Sequence, residues 1–192
     1  MFLCNNLNIY QKKNSMSLVI LNKKGNDIIF IHGLISSGHG FKGEFFRKLL
    51  PKCLTPDLEE YHERIPRKIL LEKRMKQLND ILMEKKIWTI IGSSFGGLMA
   101  VLYTIQNPEK VKKLILLAPF LIGDEFIPKK IDPIKIPVKI FHGRNDKVIP
   151  LKQNQDNAND LFENLEYIVV QDDHQLHDTV KSINWLEILK PI

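Results

Sequence analysis

The sequence predicts an α/β fold in which helices cover both faces of a mostly parallel central sheet. Three observations predict it. Strand runs alternate with helical runs along nearly the whole chain. Several of the strands are continuous apolar runs, as expected of strands buried on both faces. Polar and glycine-rich segments come directly after the strands, where an open parallel sheet gathers its functional loops. With 192 residues the chain suits one domain, predicted over 16–192, preceded by a polar tail over 1–15. Met16 is a second candidate start.

Ser17 to Leu21 and Asp27 to His32 read as two strands joined by the hairpin-like turn Asn22-Lys23-Lys24-Gly25-Asn26. Phe41 to Leu50 reads as a helix stopped by Pro51, Cys53 to Asp57 as a short strand, and Ile65 to Lys85 as a long amphipathic helix. Trp88 to Gly92 is the next strand, followed by a helix to Gln106 that ends at Asn107-Pro108. Lys113 to Ala118 and Pro137 to His142 are strands, with Lys152 to Phe162 a helix after them. Glu166 to Gln171 is the last strand and His177 to Leu189 the last helix.

The formal charge of +6 raises the question of a nucleic-acid partner. The densest basic stretch, His62 to Lys86, mixes Arg64, Arg67, Lys68, Lys73, Arg74 and Lys76 with Glu63, Glu72, Asp80 and Glu84. Ile65, Ile69, Met75, Leu78 and Leu82 recur there at helical spacing, so these charges read as the solvated face of a helix and predict no nucleic-acid partner. Cys4 and Cys53 lack metal-ligand spacing and a disulfide framework, which predicts a reduced, cytoplasmic setting. No apolar run approaches membrane-spanning length, so no membrane insertion is predicted.

Gly92-Ser93-Ser94-Phe95-Gly96 joins a buried strand to a helix and has the pattern of a nucleophile elbow. A serine hydroxyl attacks well only when a sharp turn lifts it from the sheet beside a base, so Ser94 is the nucleophile candidate. Ser93 reads as a small residue packed beside the turn. His32-Gly33-Leu34-Ile35-Ser36-Ser37-Gly38 follows an earlier strand and offers backbone N–H groups to an anion. Leu34 N–H and Phe95 N–H are the candidate oxyanion donors, and His32 reads as an imidazole tying the loop down. Asp146, in Gly143-Arg144-Asn145-Asp146, is the candidate acid. Asp172-Asp173-His174-Gln175-Leu176-His177 offers two bases, of which His174 lies directly off a strand end and His177 at a helix entrance. Asp172, Asp173 and Asp178 read as part of that polar helix entrance.

These segments, in the order Ser94, Asp146, His174, resemble the α/β-hydrolase superfamily, and within it the small lidless bacterial serine esterases with a His-Gly-x-x-Ser-Ser loop and a Gly-Ser-Ser-x-Gly-Gly elbow. The resemblance covers about Ser17 to Leu189. It implies hydrolysis of a small-molecule carboxylic ester or thioester through an acyl-enzyme, with no cofactor and no metal, by a monomer or small homo-oligomer. Only Phe120 to Ile136 lies where larger relatives insert a helical cap, so no cap domain is expected. Ser36 and Phe120 are candidate substrate contacts, and the resemblance makes Asp124, in that same segment, a rival to Asp146 as the acid, since some relatives take it from there. Acyl transfer by the same residues and a catalytically idle binding protein are the alternative functions.

Overall fold

The computed structural model describes residues 27–83, 87–122 and 132–190. The expected strand over Ser17 to Leu21, the 1–15 tail and Asp124 lie outside the described residues. Asp27–Lys181 forms one compact unit, and the described part of the second is the short stretch 182–190.

The first unit holds five parallel strands in sequential order: β1 (Asp27–Ile31), β2 (Trp88–Ser93), β3 (Val111–Leu117), β4 (Val138–Gly143) and β5 (Leu165–Val170). Between them run α1 (Phe41–Leu49), α2 (Arg67–Ile81), α3 (Phe95–Gln106) and α4 (Leu151–Leu161), and α5 (His177–Ser182) follows β5. Every residue of β2 is buried, so both faces of the sheet are covered at its centre, whereas β5 is only partly buried along its length. The core runs through Ile29, Ile31, Ile90, Leu114, Leu116 and Ile140 and is closed by α3, in which Leu98, Met99, Ala100 and Val101 are fully buried. Among the described residues there is no separate cap domain. Among the described residues no helix is long and apolar enough to cross a membrane.

Register brings the strand ends together. Ile31 pairs with Gly92 and Gly92 with Leu116, while Ser93 pairs with Leu117, Leu117 with Phe141 and Phe141 with Ile168. The loops that carry His32 to Gly38, Ser94, Asp146 and His174 therefore all leave the same edge of the sheet.

Three expectations are corrected. Cys53 to Asp57 is not a strand: only Leu54 bridges β1, opposite Ile29, accepting from Phe30 N–H and donating to Ile28 O. The final helix is two short ones, α5 and, in the second unit, α6 (Trp185–Ile188), where the Asn184 side chain takes the Glu187 N–H and starts a new turn. The apolar stripe of α2 keeps Met75, Leu78 and Leu82 but differs in its first turn and at Arg74. Ile69 is exposed, while Leu70, Leu71, Met75 and Leu78 are buried, and with them Arg74, which leaves the predicted solvated face.

Candidate active site

Ser94 sits where β2 gives way to α3, with φ 53° and ψ −116°, a left-handed conformation that an L side chain adopts only under constraint. Its N–H donates to Leu117 O at 2.9 Å, which fixes the turn to β3. The glycines either side are required by space. A Cβ on Gly96 would lie 2.2 Å from Ile31 O, and one on Gly92 would lie 2.7 Å from Gly96 O.

His174, in the loop after β5, has Nε2 3.1 Å from Ser94 Oγ and Nδ1 2.8 Å from Asp146 Oδ2. An ionised carboxylate only accepts, so Nδ1 carries the proton and Nε2 is left as the acceptor facing the serine hydroxyl. Asp146 has a fully buried side chain. Its Oδ1 accepts Val148 N–H at 2.8 Å and Ile149 N–H at 2.9 Å, which aims Oδ2 at the imidazole. Asp146 does not cap α4, whose N-cap is Pro150 with no side-chain bond. The structure thus brings Ser94, Asp146 and His174 together. His177 opens α5 and packs its ring against Phe41 at 4.1 Å between centroids. Asp172 accepts Thr179 N–H and Thr179 Oγ1, a bond pair that holds the helix entrance below the His174 loop.

Across the site, the loop after β1 is held from several directions. His32 donates from Nδ1 to Gly33 O at 2.8 Å and accepts Leu58 N–H at Nε2, 3.1 Å. Burial pushes the His32 pKa down, so the neutral ring is the one that bridges the two loops. Farther along, Asp57 accepts Gly38 N–H at 2.7 Å and Arg47 donates to Gly38 O at 3.1 Å. Leu34 N–H, a candidate oxyanion donor, makes no hydrogen bond among the described residues. Phe95, the other, is the first residue of α3.

These groups surround a cavity of about 340 Å³. Ser94, His174, Leu34 and Phe95 line it, as do Ser36 and Phe120, the two candidate substrate contacts. Ile35, Phe41 and Val148 give it an apolar rim, and Lys42, Arg67 and His177 add cationic or titratable groups. No Asp or Glu among the described residues lines it. Among the described residues no three His, Cys, Asp or Glu side chains are grouped to hold a metal ion.

Three residues with a place around the site, His142, Tyr167 and Asn154, carried no sequence signal of their own. His142 at the end of β4 lies behind Asp146, with Nε2 3.2 Å from Oδ2 and 3.2 Å from Ile149 O. Tyr167 O–H donates to His142 Nδ1 at 2.7 Å, and Asn154 donates toward the same pair at 3.2 Å. Their coming together depends on β4, β5 and α4 packing, which no local pattern encodes. Arg74 did leave a trace: it falls at i+4 from Leu70 and i−4 from Leu78, in phase with buried leucines.

Comparison with known proteins agrees with this architecture. The family model for the alpha/beta hydrolase fold matches residues 27–133. A YdeN-like hydrolase from Pectobacterium atrosepticum is 19% identical, with a TM-score of 0.69, over 93% of this chain and 100% of the other. Est1E from Butyrivibrio proteoclasticus, solved with ferulic acid bound, is 18% identical with a TM-score of 0.63, over 87% and 91%. A thioesterase domain from the curacin biosynthetic pathway is 13% identical with a TM-score of 0.64, over 86% and 90%. A search of curated proteins finds no match. Five parallel strands, a strained serine turn after the second of them and the family match over more than half the sequence together establish that this chain belongs to the alpha/beta hydrolase superfamily.

Proposed function

We propose that the protein is a serine hydrolase that cleaves small carboxylic esters or thioesters through an acyl-enzyme. One observation carries the reading: Ser94 Oγ, on a strained elbow, lies 3.1 Å from an imidazole nitrogen whose partner nitrogen is 2.8 Å from a buried carboxylate. In this reading His174 Nε2 takes the hydroxyl proton as Ser94 Oγ attacks the carbonyl carbon. The carbonyl π electrons move to oxygen, and Leu34 N–H and Phe95 N–H bind the resulting anion. Collapse expels the alcohol or thiol, which takes its proton from His174. Water then attacks the acyl-enzyme with His174 as base and Ser94 as leaving group. Asp146 holds the ring in the productive tautomer and stabilises the imidazolium.

The apolar rim of Ile35, Phe41 and Val148 suits an acyl chain, and the cavity has room for a small substrate. A fluorophosphonate probe tests the mechanism: wild type should label and Ser94→Ala should not. Equal labelling of both would refute it. Hydrolysis of p-nitrophenyl esters from acetyl to decanoyl, with and without an added alcohol or thiol acceptor, then separates hydrolysis from acyl transfer. A labelled enzyme whose product is mainly the transferred ester would be an acyltransferase.

A further inference from the structure

Arg74 is fully buried, on the face of α2 turned to the interior. Burial lowers its pKa to about 10, which still leaves it charged at neutral pH. Burying such a charge is costly unless its donors are met. Each of its three nitrogens donates to a backbone carbonyl: Nε to Glu59 O at 2.7 Å, Nη1 to Gly33 O at 3.2 Å and Nη2 to Leu34 O at 2.9 Å. The nearest carboxylate in sequence to these contacts, Glu59, bonds Lys73 instead. The guanidinium carbon also stands 5.9 Å from the centre of the Phe95 ring.

Two of those carbonyls bear directly on the proposed oxyanion donors. Gly33 O and Leu34 N–H belong to one peptide group, which is planar and trans, so the oxygen and the hydrogen point in opposite directions. A donor that fixes Gly33 O therefore fixes the direction of Leu34 N–H. Gly33 O has two such donors, Arg74 Nη1 and His32 Nδ1. The following peptide is held at Leu34 O. This segment also abuts the nucleophile, since a Cβ on Gly33 would lie 3.5 Å from Ser94 Cβ. Hydrogen bonding to a peptide oxygen also polarises the peptide and strengthens its N–H as a donor. The same guanidinium faces the ring of Phe95, the residue that carries the second donor.

We propose that Arg74 is the positioning residue of the oxyanion site: it pins the Gly33–Leu34 peptide so that Leu34 N–H faces the oxygen of the tetrahedral intermediate. It does not touch substrate. This inference rests on the serine-hydrolase reading of Ser94 and on Leu34 as a donor. It predicts that losing Arg74 weakens binding of the transition state more than that of the ester.

The test uses the full-length protein with Arg74→Met and Arg74→Lys, a p-nitrophenyl butyrate assay, and a fluorophosphonate to count active serines. Arg74→Met should lower kcat by about 30-fold with KM within about twofold, less than the loss seen when an oxyanion donor is removed outright. Arg74→Lys, which keeps the charge but cannot span both carbonyls, should lose kcat by an intermediate factor. A trifluoromethyl ketone analogue, which forms a serine hemiketal, should weaken in parallel with kcat, and a general packing defect would not produce that parallel. Hydrogen exchange should speed up over 33–36 in both variants. If Arg74→Met does not fold, the same kcat, analogue and exchange readouts on Arg74→Lys decide the matter. A wild type that labels at Ser94 beside an Arg74→Lys with unchanged kcat and analogue affinity overturns the inference alone. A wild type that does not label overturns the site reading and the inference with it.

Discussion

His142 Nε2 lies 3.2 Å from Asp146 Oδ2, the same oxygen that meets His174 Nδ1 at 2.8 Å. One carboxylate oxygen thus serves two imidazoles, one facing the cavity and one in the interior. With Tyr167 O–H donating to Nδ1, His142 carries its proton on Nε2 and donates it toward Asp146 and Ile149 O. Replacing it by Ala leaves a buried carboxylate oxygen short of a donor and a void beside it. The expected result is a kcat reduced by about tenfold, with KM little changed and Ser94 still labelled by phosphonate. His142→Gln, which can restore a donor, should recover part of the loss. Identical kcat values for wild type and His142→Ala would show that Asp146 needs no second support.

Acid should destabilise the protein before its carboxylates titrate. His32 and His142 are buried, and burial is the main cause that lowers both pKa values below the ordinary 6.5. The unfolded chain therefore takes up these protons first as pH falls. Their contribution to stability is whole above about pH 7 and is lost as pH drops through 6.5 toward the folded values. Below that, Asp57 and Asp172, which hydrogen bonds hold under the ordinary carboxylate range against the opposing effect of burial, lose their contribution in turn. Urea unfolding at pH 7.5, 6.0 and 5.0 should show the stability falling, on the order of 1 kcal/mol by pH 5. His32→Gln should flatten that fall. A midpoint that rises toward pH 5 would contradict the assignment of neutral buried imidazoles.

Gly96→Ala should be poorly tolerated despite lying in a helix, where alanine is ordinarily favoured. The added carbon would stand 2.2 Å from Ile31 O and 2.5 Å from His32 O, and backbone of β1 cannot move aside without shifting the loop that follows it. The cost should be about 2 to 4 kcal/mol, a fall of roughly 5 to 15 °C in Tm. Activity should drop further than stability alone explains, because Ser94 and His32 sit on the two chains being forced apart. A thermal scan and a p-nitrophenyl ester assay check both; a variant as stable as wild type would mean the elbow packs less tightly than these distances require.

Cys53 should resist thiol reagents in the folded protein. It is 7% exposed, and burial pushes its pKa up to about 12, so almost no thiolate exists at neutral pH. Peptide mapping after native iodoacetamide treatment should find Cys53 unmodified, and fully modified after treatment in guanidinium. Modification of Cys53 in the native protein at a rate typical of a free thiol would contradict its burial.

Much of the fold was legible because its signals are local. β1 to β5 are short apolar runs ended by glycine, proline or polar loops, and Ser94, Asp146 and His174 each lie within a few residues of a strand end. What was not legible depends on tertiary partners. Met75, Leu78 and Leu82 were legible as buried positions of the α2 stripe, but whether Ile69 or Leu70 faces inward in its first turn is decided only by the packed sheet. Arg74 reads as a surface charge until the carbonyls of Gly33, Leu34 and Glu59 are brought to it by the loops after β1 and before α2. Asn184 interrupts the last helical run through a cap that a run of helical composition conceals.

Lys42 gives the cavity a charge that pH can remove. It lies in the first turn of α1 on the cavity wall, where burial pushes its pKa down to about 8 while Asp173 and Asp172 pull it partway back. His177, the other titratable group on that wall near it, has its own pKa lowered by burial and by Lys42, and is neutral at alkaline pH. Lys181 lies over the Phe41 ring beside them. Between pH 7 and 9 the change in cavity charge is therefore mainly the loss of the Lys42 proton. An ester whose acyl group ends in a carboxylate, such as the mono-p-nitrophenyl ester of glutaric acid, should be favoured over p-nitrophenyl butyrate at pH 7. That preference in kcat/KM should fall by about fivefold by pH 9. Lys42→Met should start low and stay flat across the same range. Measuring the ratio of the two substrates cancels the titration of groups common to both reactions. A wild-type ratio that does not move between pH 7 and 9 would show that the ammonium does not reach the acyl site.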